Sequence, residues 1–114
     1  MIHSDDPKGV QRLNQEVAKA WSDGNDAGLD IPKAEAVTWM TSNPAKAIGI
    51  EDETGSLTPG LRADVVIWNG DPFSTYTRAD TVMIDGAVVY DREDGLMPRS
   101  DFRVGQDSLP EAAR

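Results

Sequence analysis

Apolar residues in the first quarter of the chain recur at helical spacing. Val10, Leu13, Val17, Ala20 and Trp21 share one side of a period of about 3.6 residues, and Gln11, Asn14, Gln15 and Lys19 fall elsewhere. Asp6-Pro7 precedes this run as a capping carboxylate and a first-turn proline, and Gly24 follows it as a stop, so the pattern predicts an amphipathic helix over residues 7–23. Pro32 opens a second helical stretch in which Ile31, Ala34, Val37 and Met40 line one side, ending near Thr41. Asn43-Pro44 repeats the arrangement of cap and proline and predicts a short helix through Ile48, closed by Gly49.

From Glu51 the period changes. Gly55, Pro59 and Gly60 punctuate the chain, and Pro59-Gly60 favours a type II turn because glycine takes positive φ at little cost. Residues 63–68 contain Val65, Val66, Ile67 and Trp68 in succession, which predicts a strand apolar on both faces. Gly70-Asp71-Pro72 marks a loop. Thr81-Val82-Met83-Ile84 and Ala87-Val88-Val89-Tyr90 then flank Asp85-Gly86, a pair suited to a type I′ hairpin turn. Beyond Asp91 the chain is polar, holds Pro98 and Pro110, and has only Leu96, Phe102 and Val104 as anchors, the pattern of an extended tail.

The expected architecture for the isolated chain is α+β, with helices in residues 1–50, three or so strands in residues 51–92, and a tail in residues 93–114. A strand apolar on both faces needs cover on both, and the helices supply one layer. Three strands also leave two edges with unpaired backbone groups. Other polypeptide is therefore expected to pair with or cover the sheet; the alternative is that the tail from Arg92 onward folds back over it.

Composition narrows the function classes. At 114 residues there is room for one small domain, since domains run from roughly 50 to 250 residues. A formal net charge of -9, with lysines and arginines scattered singly, argues against nucleic acid and anionic membrane surfaces as partners. The absence of cysteine excludes disulfides, thiolate zinc sites and a cysteine nucleophile. The start lacks the basic and apolar runs of a signal peptide, and no stretch approaches the roughly 20 apolar residues of a membrane span, so a cytoplasmic location is expected.

Several motifs follow one another in a telling order: Thr41-Ser42-Asn43-Pro44-Ala45-Lys46-Ala47-Ile48-Gly49, Gly55-Ser56-Leu57, Pro59-Gly60, Ala63-Asp64-Val65-Val66-Ile67-Trp68, Gly70-Asp71-Pro72 and Val82 to Asp91. Each alone reflects backbone geometry found in many proteins. Their order and spacing resemble the C-terminal signature of the amidohydrolase superfamily, in the flavour of its imidazolonepropionase-like group. The resemblance covers roughly residues 2–91. It implies that the chain is the C-terminal segment of a metal-dependent hydrolase acting on C–N bonds. Its first part would be the end of a (β/α)8 barrel, with residues 7–23 as the last barrel helix. The strands would be part of an incomplete β-sandwich whose other half comes from residues before the barrel.

The same resemblance implies site residues. His3-Ser4-Asp5 would end the last barrel strand, and Asp5 stands where the family keeps an aspartate that ligates metal and takes a proton from the attacking water. Read from the residues alone, Ser4, Asp5 and Asp6 are as well explained by a polar turn that caps the next helix. His3 has a structural reading and a weaker one as a substrate or supporting contact. The family's other metal ligands, histidines on earlier strands among them, have no counterpart, because this chain has one histidine and a zinc site takes about three or four protein ligands. The resemblance thus implies a divalent metal, zinc foremost, in the complete enzyme, and none tightly bound by this chain. The expected partners are the rest of the barrel and the N-terminal sandwich strands, or a homo-oligomer in their place. Asp64, Asp71, Asp85 and Asp91 read as turn residues, and Trp21, Trp39 and Trp68 as packing. A second functional reading is a non-catalytic acidic interaction or dimerisation module.

Overall fold

A computed structural model of the chain describes residues 1–94. Helical structure begins as a 3-10 turn, Gly9–Arg12, and passes into α1, Leu13–Asp26, rather than growing directly from Pro7. The reason lies just upstream. The Asp6 carboxylate accepts the Lys8 N–H at 3.1 Å, and the Asp6 carbonyl takes its shorter bond, 3.0 Å, from the Gly9 N–H three residues on, the 3-10 spacing, with the Val10 N–H at 3.3 Å. The tighter pitch of that turn also carries Val10 off the expected face, and it is exposed.

α1 does not stop at Gly24 but runs to Asp26, and the chain reverses at Gly28, whose φ is +92°. Gly24 has a different use. A Cβ there would lie 2.9 Å from Ile31 Cδ1, so the missing side chain lets the returning segment cross the helix closely. The Trp21 indole N–H donates to the Ile31 carbonyl at 2.7 Å, and Asn25 exchanges two hydrogen bonds with the Ile31 backbone. This leads into α2, Lys33–Thr38, and then α3, Ser42–Ile48.

The packed faces are narrower than the periodicity predicts. In α1 the buried stripe is Asn14, Val17 and, half-buried, Trp21, while Ala20 is exposed; in α2 the buried position is Ala36, and Ala34 faces out. Val17, Ala36 and Ala45 are the buried apolar residues among those described.

In α3, Asn43 is not the cap. The helix starts at Ser42, and the preceding Thr41 turns its hydroxyl back to the Val37 carbonyl at 2.9 Å. Pro44 still fits, because it falls in the first turn, where backbone donors have no helical acceptor. Gly49 ends α3 with φ +76°. Its N–H donates to Lys46 and the Ile50 N–H to Ala45, the paired closure that a left-handed residue makes possible.

The remaining described residues form an antiparallel sheet in the order β1, Val65–Trp68; β2, Ala79–Ile84; β3, Ala87–Asp91. Asp85 and Gly86 both have positive φ, 51° and 79°, as the type I′ turn between β2 and β3 requires. Thr58 to Leu61 closes as the expected turn, with a 3.2 Å hydrogen bond and φ +94° at Gly60. Val82 pairs with Tyr90 but Met83 with Val88, so Val89 is an extra residue that bulges β3. Val66, Val82 and Tyr90 share one face, and Val65, Met83 and Val88 share the other.

Both faces are thus apolar, as the sequence predicts, and neither is fully covered by the described residues. Val66 is 43% exposed and its neighbour Ile67, on the opposite face, 46%. Ile84, Val88 and Val89 are exposed as well. The expected tail lies outside the described residues beyond Asp94, and so does its suggested role as cover. No helix among the described residues is long and apolar enough to cross a membrane.

Helices and sheet meet at the loop that leaves β1. Asn14, buried, donates from Nδ2 to the Pro72 carbonyl at 2.7 Å. Trp21 and Phe73 pack with ring centroids 5.6 Å apart, and the Lys33 ammonium lies 5.3 Å from the Trp21 ring and 5.9 Å from that of Phe73 while pairing with Asp71. Replacing Asn14 by alanine strands the Pro72 carbonyl. Asn14→Ala is expected to lower the unfolding free energy by about 1–3 kcal/mol, measured by urea titration.

Candidate functional site

The segment implied to carry chemistry lies immediately before the 3-10 turn. The Ile2 N–H donates to the Trp39 carbonyl at 3.1 Å and ties the N-terminal segment to the end of α2. Ser4 and Asp6 are then occupied with each other: the Ser4 hydroxyl donates to the Asp6 carbonyl at 2.8 Å and accepts the Asp6 N–H at 3.2 Å. With the Asp6 carboxylate held by the Lys8 N–H, Ser4 and Asp6 build the turn between them. Asp5 is left projecting outward.

The structure brings together the two residues singled out for chemistry. His3 Nδ1 and Asp5 Oδ1 are 3.3 Å apart, with side chains 67% and 94% exposed. An imidazole nitrogen beside a carboxylate oxygen is a donor pair suited to zinc and similar divalent ions. It is too small to be a centre on its own. Among the described residues there is no group of three or more His, Cys, Asp or Glu side chains placed to hold a metal.

The other aspartates have structural work. Asp64, at the entry to β1, accepts the Thr54 hydroxyl at 2.6 Å and the Asp85 N–H at 2.8 Å, so one carboxylate joins the α3-to-sheet connection to the hairpin turn. The Thr54 hydroxyl first, then the Asp85 amide, with Arg62 adding charge, hold its pKa below the ordinary value of 3.8. Asp71 is held low in the same sense, chiefly by Lys33 and then by the Phe73 N–H. Lys33 was not signalled by the sequence, because its partner is 38 residues away and nothing in either local pattern points to the other. Gly55 is a second such position. A Cβ there would stand 2.5 Å from the Ala45 Cβ, so the connection to the sheet lies directly on α3.

Comparison with known proteins identifies this arrangement of helices and strands. The Amidohydrolase family model matches residues 5–89, and the chain belongs to that family. An amidohydrolase, tasK, from Hapsidospora irregularis is 30% identical over 107 residues, 93% of this chain and 10% of that protein. An imidazolonepropionase from Shewanella loihica is 51% identical over 35 residues, 31% of this chain and 9% of that protein. Among solved structures, an amidohydrolase from Thermotoga maritima superposes with a TM-score of 0.60 at 34% identity, covering 69% of this chain and 19% of that one. The chain therefore spans about a tenth of the length of the curated relatives it matches.

The lowered carboxylates give the fold a defined acid response. Asp64 and Asp71 bind protons more weakly when folded than when unfolded, so their stabilising contribution is complete above the ordinary value of 3.8 and disappears as pH falls through their folded-state values below it. Thermal melts are expected to show the midpoint dropping in that acidic window. Asp64→Asn is expected to lower the midpoint at neutral pH and to flatten its dependence below 3.8.

Proposed function

We propose that the chain is the C-terminal part of a metal-dependent hydrolase that cleaves C–N bonds of amides, cyclic amides or dipeptides by attack of a metal-activated water. Residues 1–50 are the end of its barrel and residues 51–92 the C-terminal strands of its sandwich. The observation that carries this reading is the family match over residues 5–89, which runs from the outward-facing Asp5 to the last strand. Asp5 is assigned as one metal ligand and as the proton acceptor in the complete enzyme, with His3 as a neighbouring contact. The described residues provide two donors of the right type and do not complete the centre. The remaining ligands belong to the rest of the barrel.

The partner surface follows from the same reading. The exposed Val66, Ile67, Ile84, Val88 and Val89 support docking of the sheet against the N-terminal sandwich strands of the complete enzyme, or against another copy in their place. Those exposed side chains also favour a second reading, a non-catalytic acidic module that dimerises through the sheet.

Purified chain supplied with zinc or manganese is expected to bind the ion weakly and to show no turnover of cyclic amides, N-acyl amino acids or dipeptides. Stoichiometric tight binding with turnover contradicts the proposal. Sedimentation of the same sample separates the two readings. Ill-defined association supports a missing partner, and a monodisperse species that melts cooperatively even at low concentration supports the module.

A further inference from the structure

We propose that Asn69 is a site of spontaneous deamidation, a self-modification that loosens the junction between helices and sheet. The chain has four asparagines, and Asn69 alone is followed by glycine, whose unsubstituted Cα leaves its amide nitrogen open to approach. Asn69 and Gly70 are both exposed at the bend that leaves β1.

Three features of the bend favour the reaction. The Gly70 N–H donates to none of the described groups, so the nucleophile is not tied up. Asn69 Oδ1 accepts the Arg78 N–H at 2.9 Å, which polarises the side-chain carbonyl toward attack at its carbon. Asn69 Nδ2, the nitrogen that must leave, donates to no described group. Asp85-Gly86 offers a contrast, because the Gly86 N–H is engaged by the Ala63 carbonyl at 3.0 Å.

The Gly70 nitrogen, after giving its proton to solvent base, bonds to Asn69 Cγ. The Cγ–Nδ2 bond breaks, and Nδ2 takes up a proton and departs as ammonia. Water then adds to either carbonyl of the resulting five-membered imide, and opening of one C–N bond leaves aspartate or isoaspartate. Both products add one negative charge to the formal -9. Isoaspartate also inserts a methylene into the main chain just before Asp71, Pro72 and Phe73, the residues that meet Lys33, Asn14 and Trp21.

The test is to incubate the folded chain at mildly alkaline pH, resolve charge variants by ion exchange, and map the product by peptide mass spectrometry and an isoaspartate-specific methylation assay. An acidic species is expected to accumulate faster as pH rises. It should map to residue 69 several-fold ahead of Asn14 and Asn25, melt at a lower temperature, and be missing in Asn69→Gln. If Asn69 keeps its amide in the folded chain while converting in urea, or converts no faster than Asn25, the proposal is overturned.

Discussion

The hydrogen bond from Asn14 to the Pro72 carbonyl, reinforced by Trp21 against Phe73 and by Lys33 on Asp71, fixes where the sheet stands relative to the helices. The apolar core among the described residues is small, with Val17, Ala36 and Ala45 as its buried members, and all three lie in helices. Little apolar contact therefore holds the sheet to the helical layer, and polar ties of fixed geometry take on that task. Asp64 makes the second such tie, binding Thr54 on the connection to Asp85 in the hairpin turn. A buried hydrogen-bond donor in the stripe of α1 is costly unless paired, and this is why the loop following β1 cannot drift from the helix.

The sheet shows the opposite condition. Among the described residues it has two apolar faces and two unpaired edges, and a strand with Val66 and Ile67 exposed on opposite sides is poorly suited to water. The chain belongs to the Amidohydrolase family but spans about a tenth of the curated relatives it matches. On the reading proposed above, these facts have one origin: the surfaces that cover the sheet and the ligands that join Asp5 are supplied by the same absent part of a larger enzyme. The pairing of His3 with Asp5 on the exposed N-terminal segment fits a contribution to a site rather than a site in itself.

Much of the architecture was legible because it rests on local backbone chemistry. Gly49, Pro59-Gly60 and Asp85-Gly86 each impose a dihedral angle that few other residues tolerate, and each ends or turns an element where the sequence predicts. Run length and the choice of β-branched residues likewise marked all three strands. Helix starts were less legible. Asp6 spends its carboxylate on the Lys8 amide ahead of the helical turn, and Thr41 rather than the expected Asn43 precedes α3, with its hydroxyl on the Val37 carbonyl. The burial of Ala36 rather than Ala34, and the exposure of Val10 and Ala20, depend on which neighbour packs where, and periodicity alone cannot say that. At the candidate site, sequence singled out His3 and Asp5, which the structure brings within 3.3 Å, but not the pairing of Lys33 with Asp71 or the two hydrogen bonds accepted by Asp64, whose partners are remote in the chain.

On the reading proposed above, helices and junction form the stable part of this chain and other polypeptide covers the sheet. Native-state hydrogen–deuterium exchange of the isolated chain, read amide by amide, tests it most directly. Slowest exchange is expected in α1 around Asn14 to Trp21, and much faster exchange across β1 and β3 despite their ladder hydrogen bonds. Protection in β1 and β3 equal to that of α1, in a chain sedimenting as a monomer, would contradict it.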